Sequence, residues 1–272
     1  MIYLGEVLEI YITNECNLTC SNCNRFNNYD FRGHYYWKDY RLAIAAWSKR
    51  ITADTISIIG GEPTLHPELF IWKRNLERLW PDSVVMVQSN GIYTKEKIKE
   101  LNASKIIPVI SIHDKKMFKK HEEYIATHKM SIPGGNNEPN SLIIDATEFT
   151  DCALIDNQNS FSLHNSDPES AFICCSMKYS HTIFEGRLHR CPLLAVLPEF
   201  AKQYKVKMSE EDLELLKNPE YVLEHDCSEE DLKKFFYSIM TPMNVCKFCP
   251  GEYKLSEVKM DSKRKLHQRL SN

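Results

Sequence analysis

Three cysteines near the start of the chain carry the clearest chemical signal in the sequence. Cys16, Cys20 and Cys23 are spaced as C-x3-C-x2-C, directly after residues 6–12, whose alternation predicts a half-buried strand. Three thiolates on one short loop can hold three corners of a four-iron cluster, which ordinarily takes four protein ligands. The spacing therefore predicts a cluster with one iron open to another ligand. Zinc is the alternative, because it also accepts tetrahedral sulfur ligands.

A second motif follows the next predicted strand, residues 54–59. Here Gly60 and Gly61 precede Glu62 and Pro63. Two glycines at a strand end let a ligand approach the backbone closely, and Glu62 offers a carboxylate to a cationic group. A Gly-Gly-Glu-Pro segment alone is also typical of an ordinary turn. Its position one strand after the cysteine triplet makes the combination specific.

The triplet and the Gly-Gly-Glu-Pro segment together resemble the radical S-adenosylmethionine (radical SAM) superfamily. The resemblance implies that Cys16, Cys20 and Cys23 bind a 4Fe–4S cluster. The open iron of that cluster then chelates the amino and carboxylate groups of SAM, and the Gly-Gly-Glu segment contacts the amino group. One departure is Asn22, where the family often has an aromatic residue before the third cysteine.

The same resemblance implies an activity. An electron from a flavodoxin- or ferredoxin-like donor reduces the cluster, and SAM is cleaved to methionine and a 5′-deoxyadenosyl radical. The radical takes a hydrogen atom from the substrate. In such an enzyme the cofactors supply the chemistry, whereas the protein positions the substrate and excludes water.

Strands alternate with helices along the first part of the chain, an order that predicts an α/β fold with a parallel sheet covered by helices. The resemblance makes this sheet a partial (β/α)6 barrel, with its chemistry at the carboxyl ends of the strands. The predicted strands are residues 6–12, 54–59, 83–88, 106–112, 141–145 and 161–164; the predicted helices are residues 39–50, 67–80, 94–101 and 115–128.

Two further strand ends carry candidate SAM-binding residues. Ser89 and Asn90 follow the third strand and resemble a Thr-Asn-Gly segment found there in the family, although Asn-Gly is equally typical of a plain turn. Ser111 and His113 end the fourth strand, where the family often has groups near the ribose or methionine of SAM. A lone histidine is more commonly structural than functional.

A second set of cysteines lies in the C-terminal part. Cys175, Gly186 and Cys191 are spaced as C-x10-G-x4-C, with Cys174 as the alternative first ligand, and residues 180–190 predict a β-hairpin. A C-x2-C knuckle follows at Cys246 and Cys249. Two cysteines on a hairpin and two on a knuckle can surround a second four-iron cluster, and zinc satisfies the same four thiolates.

This pattern resembles the auxiliary-cluster domains called SPASM and, in its shortened form, Twitch. The sequence has no cysteine after Cys249, which favours the Twitch form with one auxiliary 4Fe–4S cluster. We place the barrel at residues 1–165 and the Twitch-like domain, a small α+β unit with a hairpin, at residues 166–272. A cluster ligated fully by cysteine has no open iron, which favours electron transfer. Cys152 and Cys227 are left without a predicted role.

The layout of both cysteine sets resembles the Twitch-type dehydrogenase of aminoglycoside pathways, which oxidises an alcohol to a ketone. We therefore expect oxidation of a small, carbohydrate-like molecule with the auxiliary cluster as electron acceptor. A peptide-modifying maturase is the alternative; such relatives often carry a leader-recognition domain before the barrel, whereas here the first strand is predicted near residue 6. A non-catalytic metal-binding scaffold is a third class, but it leaves the pairing of the two N-terminal motifs unexplained.

Composition sets the remaining expectations. The chain has 272 residues, 43% hydrophobic and 26% charged, which is typical of a globular protein. A net charge of −3 does not favour a nucleic-acid partner. The sequence lacks the features of a signal peptide and has no apolar run of about 18 residues, so we expect no membrane span. Ten cysteines in such a chain indicate a reducing, cytoplasmic location and metal binding.

Overall fold

The computed structural model describes residues 1–29, 31–104, 106, 108–114, 143–156, 161–204, 206–218 and 220–260. The helix predicted at residues 115–128 lies outside these residues, as do the first two residues of the strand predicted at 141–145.

The elements are listed here in chain order. The strands are β1 (Ile2–Tyr3), β2 (Val7–Thr13), β3 (Ile51–Thr52), β4 (Thr55–Gly60), β5 (Val84–Ser89), β6 (Pro108–Ile112), β7 (Ile143–Asp145), β8 (Glu148–Thr150), β9 (Leu154–Asp156), β10 (Phe161–Leu163), β11 (His181–Phe184), β12 (Arg187–His189), β13 (Val222–Leu223) and β14 (Leu255–Glu257). The α-helices are α1 (Trp37–Trp47), α2 (Leu69–Leu79), α3 (Lys95–Ala103), α4 (Pro168–Cys174), α5 (Pro192–Tyr204), α6 (Glu210–Leu215) and α7 (Glu229–Ser238). Short 3-10 turns cover Asn27–Tyr29, Pro63–Leu65 and Asn244–Phe248.

Within the described residues the main sheet has eight strands, in the order β13-β12-β11-β2-β4-β5-β6-β7. The strands from β11 to β7 in this order all run parallel to their neighbours. The prediction of a mixed α/β fold with a parallel sheet and a C-terminal hairpin is therefore confirmed. Parallel strands end at the same edge, so the loops after β2, β4, β5 and β6 meet there.

The two faces of the sheet pack against different layers. Alternate residues of β2, including Leu8 and Ile10, face a core built with α1 and α2, where Trp47 and Trp72 are fully buried. Residues on the opposite face include Tyr11, which packs in a second core with aromatic side chains of the loop after the cysteine triplet and of α5. This second face is the side on which the cysteine loops gather.

The strand predicted at residues 161–164 exists as β10 but does not belong to the main sheet. It pairs antiparallel with β9 in a separate two-stranded sheet. The edge beside β2 is occupied instead by β11, whose His181 lies opposite Leu8. Periodicity identified β10 as a strand, but the choice of partner depends on tertiary packing. The hairpin assigned by sequence to a second domain thus extends the same sheet as the barrel strands.

The hairpin of β11 and β12 turns at the predicted residues. Glu185 and Gly186 both have positive φ angles, of 49° and 79°, as a two-residue hairpin turn requires. The Nε1–H of Trp47 donates to the carbonyl oxygen of Gly186 at 2.8 Å, which attaches the turn to α1. No described helix is long and apolar enough to cross a membrane.

Candidate functional site

A cavity of about 520 Å³ lies at the carboxyl ends of the parallel strands. Its wall includes all three cysteines of the N-terminal triplet and three of the four preferred C-terminal cysteines. The predicted site residues on the wall are Cys16, Cys20, Cys23, Gly60, Gly61, Ser89, Asn90, Ser111, His113, Cys174, Cys175, Cys191 and Cys249. Glu62, Pro63 and Cys246 are not on it. The fold therefore brings two cysteine sets that are far apart in sequence to one cavity.

Gly60 and Gly61 fit tightly against the start of the cysteine loop. A Cβ atom on Gly60 would lie 2.4 Å from the carbonyl oxygen of Thr13, and one on Gly61 would lie 2.3 Å from that of Glu15. The amide of Gly61 donates to Thr13 at 2.7 Å, and the amide of Glu62 donates to Glu15 at the same distance. The two glycines thus let the end of β4 fix the backbone that leads into the first cysteine.

The thiols of the triplet are close enough to influence one another. Burial raises the pKa of Cys20 well above its ordinary value, and the nearby Cys23 and Cys16 raise it further. The Cys20 sulfur also lies 4.0 Å from the sulfur of Met260. Mutual repulsion among three thiolates, of which Cys20 is buried, favours a bound cation, which would offset the cost of ionising them.

Glu62 has a structural environment that the sequence did not predict. Its side chain is fully buried and accepts four hydrogen bonds, from the amide and hydroxyl of Thr64, the hydroxyl of Ser89 and the amide of Asn90. Burial raises the pKa of its carboxyl, and these hydrogen bonds oppose the rise. Glu62 ties the loop after β4 to the loop after β5 and does not face the cavity.

The candidates at the next two strand ends do face the cavity. The side-chain amide of Asn90 donates to the side-chain oxygen of Asn17 in the cysteine loop at 2.7 Å. Ser111 and His113 border the cavity after β6. The Nδ1 atom of His113 lies 3.3 Å from the carbonyl oxygen of Ala146, and burial lowers the pKa of the ring. A histidine held neutral in this way can act as a polar contact for a ligand.

The backbone conformation and the side-chain contacts of Asn22 explain why an asparagine occupies this position. Its φ angle is 57°, in the left-handed region that asparagine tolerates better than most residues. Its side-chain amide donates to Asp151 at 3.1 Å, and Asp151 also accepts from Ser256. Asn22 therefore links the cysteine loop to the segment before β9 and to β14, instead of presenting an aromatic ring.

The C-terminal cysteines form a second group of thiols. Burial raises the pKa of Cys191 to about 12, with smaller increases from Cys246 and Cys175. Burial likewise raises the pKa of Cys249 well above its ordinary value, and Cys191, Cys175 and Cys246 add to the rise. These four thiols therefore lie within electrostatic reach of one another, just after α4, just after the hairpin and on the knuckle.

Cys174 has a different environment from Cys175. Its thiol donates to the carbonyl oxygen of Gly251 at 3.6 Å. Cys152, which sequence left without a role, borders the cavity and raises the pKa of Cys249. Cys227 lies elsewhere, 3.4 Å from a guanidinium nitrogen of Arg50. The spacing motif could not reveal Cys152, because it reaches the site through β8 and β9 and not through the hairpin.

A polar pair on the cavity wall has no signature in the sequence. Glu9 on β2 and Arg25, two residues after the triplet, both border the cavity and are joined by an ion pair of 2.6 Å. The alternation of β2 placed Glu9 on one face, but nothing in the sequence showed that Arg25 would fold back onto that face.

The donor set fits iron–sulfur chemistry. Among the described residues, no three His, Cys, Asp or Glu side chains are arranged to hold a single metal ion. Seven of the eight predicted cysteine ligands border the cavity, and cysteine thiolate is the ligand that iron–sulfur clusters take.

These features define a protein of mixed α/β fold with a thiol-rich cofactor cavity at the strand ends. Residues 10–131 match the family model described as the Radical SAM superfamily. The family implies a 4Fe–4S cluster and SAM as cofactors. The matched residues include the triplet and the Gly-Gly-Glu-Pro segment.

Two solved structures are similar to the chain. One is Streptococcus suis SuiB bound to S-adenosylmethionine, at 26% identity and a TM-score of 0.33, covering 43% of this chain and 27% of SuiB. The chain thus spans less than two thirds of SuiB. The other is BtrN in complex with AdoMet and 2-DOIA, at 16% identity and a TM-score of 0.49, covering 92% of this chain and 94% of BtrN. No curated protein matches the sequence.

Proposed function

We propose that this protein is a radical SAM oxidoreductase that removes hydrogen from a small, carbohydrate-like substrate and passes an electron to an auxiliary cluster. One observation carries the proposal: both cysteine sets border a single cavity together with the glycine segment and the ends of β5 and β6. A substrate in that cavity lies between the two sites that such an oxidation needs.

In this proposal Cys16, Cys20 and Cys23 hold the first 4Fe–4S cluster. Gly60 and Gly61 expose the backbone to the methionine end of SAM, and Ser111 and His113 border the space available to the rest of it. When bound, the cluster and SAM supply a 5′-deoxyadenosyl radical for hydrogen abstraction. The surrounding residues position the substrate and exclude water.

Cys175, Cys191, Cys246 and Cys249 are proposed as the ligands of the auxiliary 4Fe–4S cluster. Their mutual influence on pKa supports this choice, and the hydrogen bond from Cys174 to Gly251 favours Cys175 as the first ligand. Four cysteine ligands leave no open iron, so these residues serve electron transfer. A flavodoxin- or ferredoxin-like protein is proposed as the electron donor to the first cluster.

The size of the cavity supports a small substrate. About 520 Å³ is within the usual range of small-molecule sites, and the cavity must also receive SAM. A peptide-modifying role needs room for a longer chain to enter, and no observation in the described residues favours it.

The test is iron and sulfide per chain after anaerobic reconstitution. We expect about eight irons in the wild type, and about four in each of two variants, Cys16/Cys20/Cys23→Ala and Cys246/Cys249→Ala. The matched control is Cys227→Ala, which should keep the wild-type iron content because its thiol lies against Arg50 and away from the cavity.

Formation of 5′-deoxyadenosine from SAM in the presence of a reductant distinguishes the roles of the two cysteine sets. It should disappear in the triplet variant and persist in the knuckle variant. About four irons in the wild type, with zinc in the C-terminal site, would contradict the electron-acceptor role.

A further inference from the structure

The face of the sheet that borders the cavity carries a row of buried polar side chains. Glu9 on β2 lies opposite Thr182 on β11 and Ser57 on β4 in the strand register. All three are at most 4% exposed. Register partners on parallel strands share a face. Three neighbouring strands therefore present buried polar groups at positions where apolar side chains would cost less free energy.

Glu9 is held by one of its two carboxylate oxygens. The Oε2 atom accepts from Arg25 Nη2 and from the hydroxyl of Thr182, both at 2.6 Å. Within the part of the chain that the structure describes, no group donates to Oε1. The carboxylate is thus fixed in orientation while one oxygen keeps its capacity to accept a hydrogen bond.

Arg25 is incompletely satisfied as well. It is 7% exposed, and its Nη1 is a buried nitrogen without a hydrogen-bond partner among the described residues. Its guanidinium also lies 5.5 Å from the centre of the Tyr11 ring. A buried donor without a partner costs free energy, so stability alone explains this arginine poorly.

A purely structural role explains this arrangement poorly. A buried ion pair contributes little net stability compared with apolar side chains of similar volume. Here the pair also leaves one acceptor and one donor unused, beside a cavity that both residues border. Unused polar capacity on a fixed cavity wall is the pattern of a ligand-binding surface.

We propose that Glu9 and Arg25 recognise the hydroxyl groups of a neutral polyol substrate. One hydroxyl donates to Oε1 of Glu9, while Arg25 and Thr182 hold the carboxylate in place through Oε2. Because the two side chains neutralise each other, this pair by itself does not favour an amine or a carboxylate over a neutral polyol. This inference rests on the proposed function and names its substrate class.

The test measures binding to the reconstituted, SAM-loaded protein by isothermal titration calorimetry. The probes are myo-inositol, an aminated inositol and glucuronate, which are neutral, cationic and anionic. We expect myo-inositol to bind the wild type most tightly and to bind Glu9→Gln about tenfold or more weakly, because a hydrogen bond to a charged acceptor is lost. Glu6→Gln is the matched control at an exposed position on the same segment and should bind as the wild type does.

Iron content and 5′-deoxyadenosine formation without polyol are measured on the same samples. Iron content should stay at the wild-type value in Glu9→Gln, because Glu9 is not a proposed cluster ligand, whereas a merely structural pair predicts that it falls. Formation of 5′-deoxyadenosine without polyol should stay at the wild-type value in the Glu6→Gln control. If Glu9→Gln does not fold, Thr182→Val replaces it; this variant removes one of the two bonds to Oε2 and should weaken myo-inositol binding severalfold. Absence of wild-type binding, tighter binding of a charged probe, or equal binding by wild type and variant overturns the assignment. A failed iron or 5′-deoxyadenosine measurement in the wild type overturns the proposed function instead.

Discussion

Glu62 is fully buried, so it affects the cavity only through the residues that it holds in place. Its four accepted hydrogen bonds come from the loops after β4 and β5, so one carboxylate holds two borders of the cavity in a fixed relation. Hydrogen bonds to a charged group are worth about 1.5–3 kcal/mol each in favourable settings. The carboxylate thereby shapes the site through Ser89 and Asn90.

His66 gives a pH-dependent prediction at the scale of a single residue. Its Nδ1 accepts from the amide of Glu68 at 2.9 Å, so its Nε2 carries the proton and donates to the carbonyl oxygen of Tyr35. Burial is the main reason that its pKa is lowered from 6.5 to about 4. The folded state therefore favours the neutral ring, and this contribution to stability is present above pH 6.5.

The contribution is lost as the pH falls from about 6.5 to about 4, because the unfolded chain takes up the proton first. The loss amounts to roughly 3 kcal/mol. Urea unfolding across this range should show a shallower pH dependence in His66→Gln than in the wild type. Equal slopes for the two proteins would show that the ring does not change its protonation on unfolding.

At the scale of elements, the hairpin connects the C-terminal cysteines to the rest of the protein. Its two strands extend the main sheet, and its turn packs on α1 through Trp47 and Gly186. The glycine in the C-x10-G-x4-C pattern is thus required by the turn and by the contact with α1, and not by a ligand. Cys191 lies two residues after the end of β12.

Gly186→Ala should lower the free energy of unfolding by about 1–3 kcal/mol. The residue has a positive φ angle, and a Cβ atom there would lie 2.9 Å from Cβ of Ala43. The measurement is urea unfolding of the wild type, Gly186→Ala, Ala43→Gly and the double variant.

The double variant separates the steric contact with Ala43 from the backbone strain at residue 186. Ala43→Gly removes the steric contact and costs about 1 kcal/mol as a helix substitution, while the backbone strain at residue 186 remains. The two substitutions together should therefore be less destabilising than the sum of their separate effects. Strict additivity would mean that the contact with α1 contributes nothing.

Elements with strong periodicity were predictable from sequence. The strands at β2, β4, β5 and β6 and the helix capped by Thr94 follow from alternation, helical spacing and capping residues. The pairing of β10 was not predictable, since a three-residue strand has no preferred partner in its own sequence. The same holds for β8 and β14, which pair across more than a hundred residues.

At the scale of the whole molecule, the main sheet includes strands from both sides of the domain boundary placed near residue 165. β11 pairs along β2, a central strand of the sheet, and supplies the Thr182 hydroxyl to Glu9. In the candidate site, spacing alone pointed to the motif cysteines, all of which except Cys246 border the cavity. Glu9, Arg25 and Cys152 were not predictable, because only the folded chain brings them to the cavity.

A fragment of residues 1–165 should therefore not fold stably. It leaves the edge of β2 without β11 and exposes apolar residues that pack against α5 and the hairpin. We expect the fragment to be aggregation-prone or to bind a hydrophobic dye, whereas the full chain should unfold in a single transition. A soluble fragment with a cooperative unfolding curve would show that residues 166–272 form an independent addition.

The closure of the cavity has a consequence for synthesis in the cell. The hydroxyl of Thr182 reaches Glu9 across 173 residues, and the backbone of Lys259 pairs with Ser21 in the cysteine loop. At about 5–20 residues per second, a ribosome releases the second strand of that contact roughly 10–35 s after the first. Until residue 259 has been synthesised the cysteine loop lacks these contacts, so the cavity cannot reach its final form before then.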